Sequence, residues 1–381
     1  MGDEINGLHH VGHIVRDMDQ AMERYRRLGF TVPAPAYPVL PRVPGGPAEA
    51  FGVVNTHVYF PGNFVELVAV IPEGGPVPGH ARPIPLQVPD DRLPGLVAAI
   101  RATAANITSF LQRFQGLHIV IADTPDLDGV ARRLTAVGVG HGGVHAIQRP
   151  VETATGTRME PARYLEISHP GLPAGRVPEG RIGFAENPPI EAPEGHAHTD
   201  HPNGATGLIE CILCVPDAAL SDLHQRYGAY FNHPDTGRTR NDQAGTGRAR
   251  DSWAREDRTR GGRARGDQTG NGQAQGDQTG NGQTQDGWAR DRGGTAGSGV
   301  ARFGRANVTI VSASALDRLL PGERPPALPA FVAYAVSVRD LATTERHLRA
   351  NDLPVTRTVP EELFVPADAA LGAAIIFRQD T

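Results

Sequence analysis

At 381 residues the chain is long enough for two domains with full cores. A net charge of -5 and a pI near 6.3 give no reason to expect nucleic acid or an anionic membrane as a partner of the whole protein. No lysine occurs, so every fixed positive side chain is an arginine, which together with the abundant Ala, Gly and Pro reads as genomic composition bias.

The N-terminal MGDEINGLHH has no basic-then-apolar signal pattern, and no apolar run approaches membrane-spanning length, so a cytoplasmic protein is expected. Gly7–Asp19, GLHHVGHIVRDMD, reads as a short strand ending at an aspartate and followed by a helix. Period-two alternation points Val11 and Val15 one way and Leu8, His10, Gly12 and Ile14 the other. Asp17 is placed to cap the helix, with Gln20 three residues later completing a capping-box pattern. Met18, Met22, Tyr25 and Leu28 line one face, and Gly29 stops the helix at a left-handed position.

The unit recurs. Strands ending in VRDM (Val15–Met18), TPDL (Thr124–Leu127), VPDA (Val215–Ala218) and VRDL (Val338–Leu341) each lead into a helical pattern. β-rich sequence follows each helix: Val53–Phe60 and Asn63–Val70 around a Pro61-Gly62 turn in the first unit, then Val144–Gln148, Arg163–Ile167 and Arg181–Glu186 in the second. The last unit offers Pro354–Val359, Glu362–Val365 and Ala373–Phe377. Strand, helix, then about three strands is a βαβββ module, present four times, which makes the fold class α+β. Leu93–Phe114 reads as a connecting helix.

Cys211 and Cys214 have C-x-x-C spacing, but they lie inside the apolar strand LIECILCV, where residues three apart face opposite sides. A redox pair sits at a helix N-terminus, so two buried structural thiols are expected here. Residues 234–299 are built from Gly, Arg, Asp, Gln, Asn and Thr and contain the repeat GDQTGNGQAQ (Gly266–Gln275) and GDQTGNGQTQ (Gly276–Gln285). Such sequence buries too little apolar surface to offset ordering entropy, and a disordered insertion is expected. His196, His198 and His201 match no zinc spacing and read as an exposed linker, although HPNGA (His201–Ala205) also suits a structural junction. No phosphate-binding glycine loop and no G-x-S-x-G elbow is present, which argues against nucleotide-dependent and serine-hydrolase chemistry.

With these modules, GLHHVGHIVRDMD, FPGNFVELV (Phe60–Val68), GLHIVIADTPDLD (Gly116–Asp128) and HPNGA, the chain resembles the vicinal oxygen chelate superfamily and, more narrowly, its glyoxalase-like domain proteins. The resemblance implies two tandem cups, each made of two modules: 5–191, a linker at 192–205, and a second, degenerate pair at 206–379. It also implies a divalent metal (Zn, Ni, Fe or Mn) on the cup floor, held by first-strand and last-strand residues. Carried over, the ligands are His10 and Glu66 from the first module and His118 and Glu186 from the second, with Glu166 as the rival carboxylate; Glu66 or Glu186 would also shuttle protons. His118 lies one residue further from its helix cap than His10 does, so it matches His10 through a bulge or else matches His9 and faces the helices. Glu210 and Ala333 hold the place of His10 in the third and fourth modules, which points to a structural half.

Other readings stand beside these. The His9, His10 and His13 cluster also fits a scaffold role, and His13 is expected to face the helices. The resemblance implies either a glyoxalase- or dioxygenase-type metalloenzyme acting on a small substrate with vicinal oxygens, or a metal-free small-molecule binder of the bleomycin-resistance type. In both, the partner is a small molecule, a homodimer is possible, and neither membrane nor nucleic acid is involved.

Overall fold

The computed structural model describes residues 4–153, 156–187, 198–232, 299–304 and 306–380. All but the last residue of the 234–299 insertion, and the first part of the linker with His196, lie outside these. Module one is β1 (Gly7–Ile14), α1 (Met18–Arg27), β2 (Ala36–Pro41), β3 (Ala48–Ala50), β4 (Gly52–Tyr59) and β5 (Phe64–Ile71). After β6 (Arg82–Pro85) and α2 (Leu93–Arg113), module two runs through β7 (Gly116–Asp123), α3 (Leu127–Ala136), β8 (His145–Thr153), β9 (Gly156–Glu166) and β10 (Arg181–Glu186). Module three shows β11 (Ala205–Val215), α4 (Leu220–Tyr230), β12 (Val300–Phe303) and β13 (Val308–Ser312), followed by the short α5 (Leu316–Leu319). Module four is β14 (Ala330–Val338), α6 (Leu341–Ala350), β15 (Thr356–Val359), β16 (Glu362–Val365) and β17 (Ala374–Gln379). The fold is α+β, as the alternation of patterns implies.

Each module folds back on itself by a parallel pairing of its first and last strands: β1 with β5, β7 with β10, β11 with β13 and β14 with β17. First strands then join modules in antiparallel pairs, β1 to β7 and β11 to β14, giving two curved cups. The helices cover the outer faces. Asp17 and Asp126 cap α1 and α3 by accepting from the backbone N–H of Gln20 (3.0 Å) and Gly129 (2.8 Å). Met18, Met22, Tyr25 and Leu28 are buried against the outer face with Val11, Val15, Leu67 and Leu117, and Gly29 ends α1 at φ 84°.

Two bulges alter the expected facing. One between Leu8 and His10 puts Leu8 with Val11 and Val15 on the helix side, leaving His10, Gly12 and Ile14 toward the cup. The other makes Gly12 oppose Ile119 and His13 oppose Leu117, so His118 is the extra residue. Cys211 packs in the helix-side core and Cys214 in the second cup, on opposite faces as the spacing requires, and burial pushes both thiols up.

The segment read as a connecting helix does more than connect. Ile107 and Phe110 of α2 pack on Ile14, Val68, Ile119 and Ile121, which fills one end of the first cup, while Leu93 and Val97 sit on Leu40 and Phe51. The second cup is filled by Ile212, Ala333, Ala335, Phe364 and Ile376 together with Leu316 and Leu320. No described helix is long and apolar enough to cross a membrane.

Candidate functional site

The strand registers set which side chains share the first cup. Counting seven residues back from the aspartates Asp17, Asp126, Asp217 and Asp340 gives His10, Ile119, Glu210 and Ala333 as equivalent first-strand positions. Two residues further along, Gly12, Ile121, Ile212 and Ala335 pair with Glu66, Gly183, Thr309 and Ile376 on the last strands. The first cup thus presents His10 and Glu66 from module one, and Ile119 and Gly183 from module two.

His10 and Glu66 share the cup face as diagonal neighbours but turn apart. The His10 ring stacks on Phe64 (centroids 4.6 Å) with Nδ1 2.7 Å from His9 Nδ1. The Glu66 carboxylate leans to β4, accepting from Asn55 Nδ2 at 2.9 Å and lying 4.0 Å from His57 Nε2. Burial pushes the Glu66 carboxyl up, against the Asn55 hydrogen bond and the charge of Arg181.

The module-two residues named from the sequence go elsewhere. His118 sits on the bulge, offset from the partner of His10 by three residues, or about 10 Å of strand. Its ring lies between Phe110 (4.8 Å) and Phe114 (4.2 Å) under the end of α2, with Nε2 donating to the Phe114 carbonyl at 3.0 Å. Burial pushes it down to about 3, so the ring is neutral and wedged in place. Glu186 is on the opposite face: it shares the phase of Ile182 and Phe184, accepts from the Leu127 N–H at 2.7 Å, and pairs with Arg163 at 3.0 Å. It anchors a helix start. Glu166 does face the cup, ion-paired with Arg181.

The cup floor is therefore two rows. One is Tyr59, Phe64, His10, Ile121, Gly183 and Glu166; the other is His57, Glu66, Gly12, Ile119 and Arg181. Of these, His57, Tyr59 and Arg181, with Asn55 two residues before His57 on β4, carry chemistry that the sequence reading did not single out. The alternation in VVNTHVY held the signal, since Asn55, His57 and Tyr59 interleave with the inward Val54, Thr56 and Val58. Among the described residues, no three His, Cys, Asp or Glu side chains converge as a metal shell. The residues present thus do not fit the four-ligand site that the superfamily implies.

Nearby histidines are structural. His13 faces the helices, its Nδ1 accepting from Tyr25 Oη at 2.7 Å and its Nε2 donating to the Leu371 carbonyl at 2.9 Å, and burial pushes it down to about 4. His201, expected in an exposed linker, is buried instead: Nδ1 accepts from the Thr31 N–H at 3.1 Å and Nε2 donates to the Tyr59 carbonyl at 3.0 Å. Asn203 beside it donates to the Leu28 carbonyl and accepts from the Ala205 N–H, so HPNGA locks the junction between the module pairs.

Paired βαβββ modules forming two cups are the architecture of the vicinal oxygen chelate superfamily. A family model for a glyoxalase-like domain matches residues 8–231. The chain belongs to this glyoxalase-like domain family. No curated protein matches the sequence. Solved structures similar to it include a hypothetical protein from Staphylococcus aureus, with 10% identity over 98% of this chain and 99% of that one and a TM-score of 0.48. A mutant of 4-hydroxymandelate synthase from Streptomyces coelicolor is 12% identical over 99% of this chain and 93% of its own, with a TM-score of 0.46. A fusion of a xylose isomerase-like TIM barrel with 4-hydroxyphenylpyruvate dioxygenase is 10% identical over 100% of this chain and 50% of its own, at 0.47.

Proposed function

We propose that the first module pair binds a small, oxygen-bearing molecule in its cup without a resident transition metal, as a binding or resistance protein of the bleomycin-resistance type would. The observation that carries this reading is the pair Ile119 and Gly183, which stand where the second module would supply a histidine and a carboxylate. Of the four first-strand and last-strand ligand positions of a glyoxalase-like centre, only the two from module one, His10 and Glu66, carry a ligand-type side chain. The polar groups that remain, Arg181, Glu66, His57 and Asn55, suit the oxygens of a small ligand instead.

A second reading, the glyoxalase- or dioxygenase-type metalloenzyme with Zn, Ni, Fe or Mn, draws support from His10 and Glu66 sharing one face. One measurement separates the two: metal content by elemental mass spectrometry on untagged protein, for wild type, His10→Ala and Glu66→Ala. Wild type that takes up no stoichiometric metal, even after incubation with Zn, Ni, Mn and Fe(II), is the expected result. About one equivalent in wild type, lost in both variants, would overturn the metal-free proposal, and the metal's identity would then separate isomerase-like from dioxygenase-like chemistry.

A further inference from the structure

We propose that Arg176, at the α2 end of the first cup, docks the carboxylate of the small molecule held there. The proposal rests on the reading of that cup as the ligand site and adds the ligand's charge. Phe110 of α2 fills that end of the cup, and the Arg176 guanidinium lies over its ring, 4.3 Å from the centroid. Arg176 belongs to the loop between β9 and β10. Gly175, at φ 71°, brings that loop against the floor, where a Cβ would lie 2.3 Å from Glu166 Oε2. The loop is closed by backbone bonds from the Arg176 N–H to the Pro173 carbonyl and from the His169 N–H to the Arg176 carbonyl. One residue beyond Gly175, Arg176 stands beside the Glu166–Arg181 ion pair.

The guanidinium is short of one anion. All its hydrogen bonds to described residues come from Nη1, which donates to Ser109 Oγ at 2.5 Å and to Asn106 Oδ1 at 3.3 Å. Both acceptors are neutral, and Nε is buried with no acceptor. Arg133, Arg163, Arg181, Arg226 and Arg378, all partly buried, each have a carboxylate in ion-pair range. Arg176, also partly buried, has none among the described residues. Burial, and then the like charges of Arg113 and Arg181, push its pKa down.

The edge formed by Nε and Nη2 is the fork that a carboxylate accepts from in two parallel bonds. Arg176 and Arg181 share one carboxylate, Glu166, which leaves a single positive charge. The next carboxylate on the floor, Glu66, feels Arg181 and not Arg176. A carboxylate brings one negative charge and balances the site, whereas a phosphate dianion overshoots it. The ligand is therefore a small monocarboxylate.

The test is isothermal titration of the full-length protein with benzoate, its neutral counterpart benzamide, and phenyl phosphate. Wild type should bind benzoate about tenfold more tightly than benzamide. Arg176→Gln should erase that preference, while Arg26→Gln, which removes an exposed arginine of α1, should keep it. Arg176→Lys retains the charge without the fork, guards against misfolding of the Gln variant, and should weaken benzoate about threefold. Equal binding of benzoate and benzamide in wild type, or a preference unchanged in both Arg176 variants, overturns the carboxylate site and leaves the cup reading standing. Tighter binding of phenyl phosphate than of benzoate overturns the assignment to a carboxylate. Binding of none of the three overturns the proposal and the cup reading together.

Discussion

The two cups share a backbone and differ in what lines them. Where the first has His10 and Glu66, the second has Glu210 and Thr309, and these two are hydrogen-bonded to each other. Glu210 is also held by Arg378 at 2.9 Å, and Arg378 in turn holds Glu362 at 2.7 Å. The rest of the second floor is apolar and covered by Leu316 and Leu320. Its charges are matched internally, so that half reads as scaffold. In the first cup, Glu66, Glu166, His57 and Arg181 remain 19–28% exposed, and only one end is filled by α2. Polar groups left reachable on a concave floor are what the proposed ligand site requires.

The contrast can be broken most strongly at Arg378. Arg378→Ala would leave Glu362, only 2% exposed, without its ion-pair partner and with only the Thr358 hydroxyl hydrogen bond at 2.7 Å, and is expected to cost about 3–5 kcal/mol in urea unfolding. Arg181→Ala in the first cup should cost about 1 kcal/mol, because Glu166 can take up water there. A similar loss for both would mean that the first cup is as closed as the second.

Next in size is the filling helix. Phe110→Ala removes a fully buried ring that contacts His118 and lies under the Arg176 guanidinium at 4.3 Å. A loss of about 3 kcal/mol is expected, with hydrogen exchange rising in α2 but not in β14. Uniform loosening would show that the two cups are one cooperative unit.

Acid should act on the first half as well. His13 and His118 are held neutral at about 4 and about 3, below the ordinary 6.5. Between those values the unfolded chain binds protons that the folded chain refuses, so stability is full above pH 6.5 and falls as pH drops toward 4 and then 3. Each histidine contributes about 1.4 kcal/mol per pH unit, or roughly 2.7 kcal/mol together at pH 5.5. His118→Leu should halve that slope between pH 6.5 and 5 in thermal melts.

The smallest effect concerns the thiols. Cys211 and Cys214 are both fully buried, and burial holds Cys214 up at about 11. Neither should react with a thiol-specific alkylating reagent in the folded protein at pH 8, while both react in denaturant. Rapid native labelling at Cys214 would open the second cup to ligands after all.

Much was legible from alternation alone. In FVELVAVI the inward Val65, Leu67, Ala69 and Ile71 put Glu66 in the cup, and in RIGFAE the same rule, applied to Ile182 and Phe184, sends Glu186 to the helices. Family position had suggested a ligand at Glu186; the period of the strand pointed the other way. His57 and Tyr59 were readable in the same manner, but a lone strand histidine and tyrosine carry no chemistry until a carboxylate is set across from them by register.

The sequence by itself determined the four modules, the aspartate caps, the opposite facing of Cys211 and Cys214 and the cup-side facing of Glu66. These follow from local periodicity and capping, which need no distant partner. Tertiary structure decided the rest. The bulges, with His9 the extra residue on β1 and His118 the extra residue on β7, appear only when the two strands pair, and a bulge shifts the facing of every residue beyond it. The place of α2 in the cup depends on apolar surface from strands far apart in the chain, and so does the meeting of Glu66 with His57.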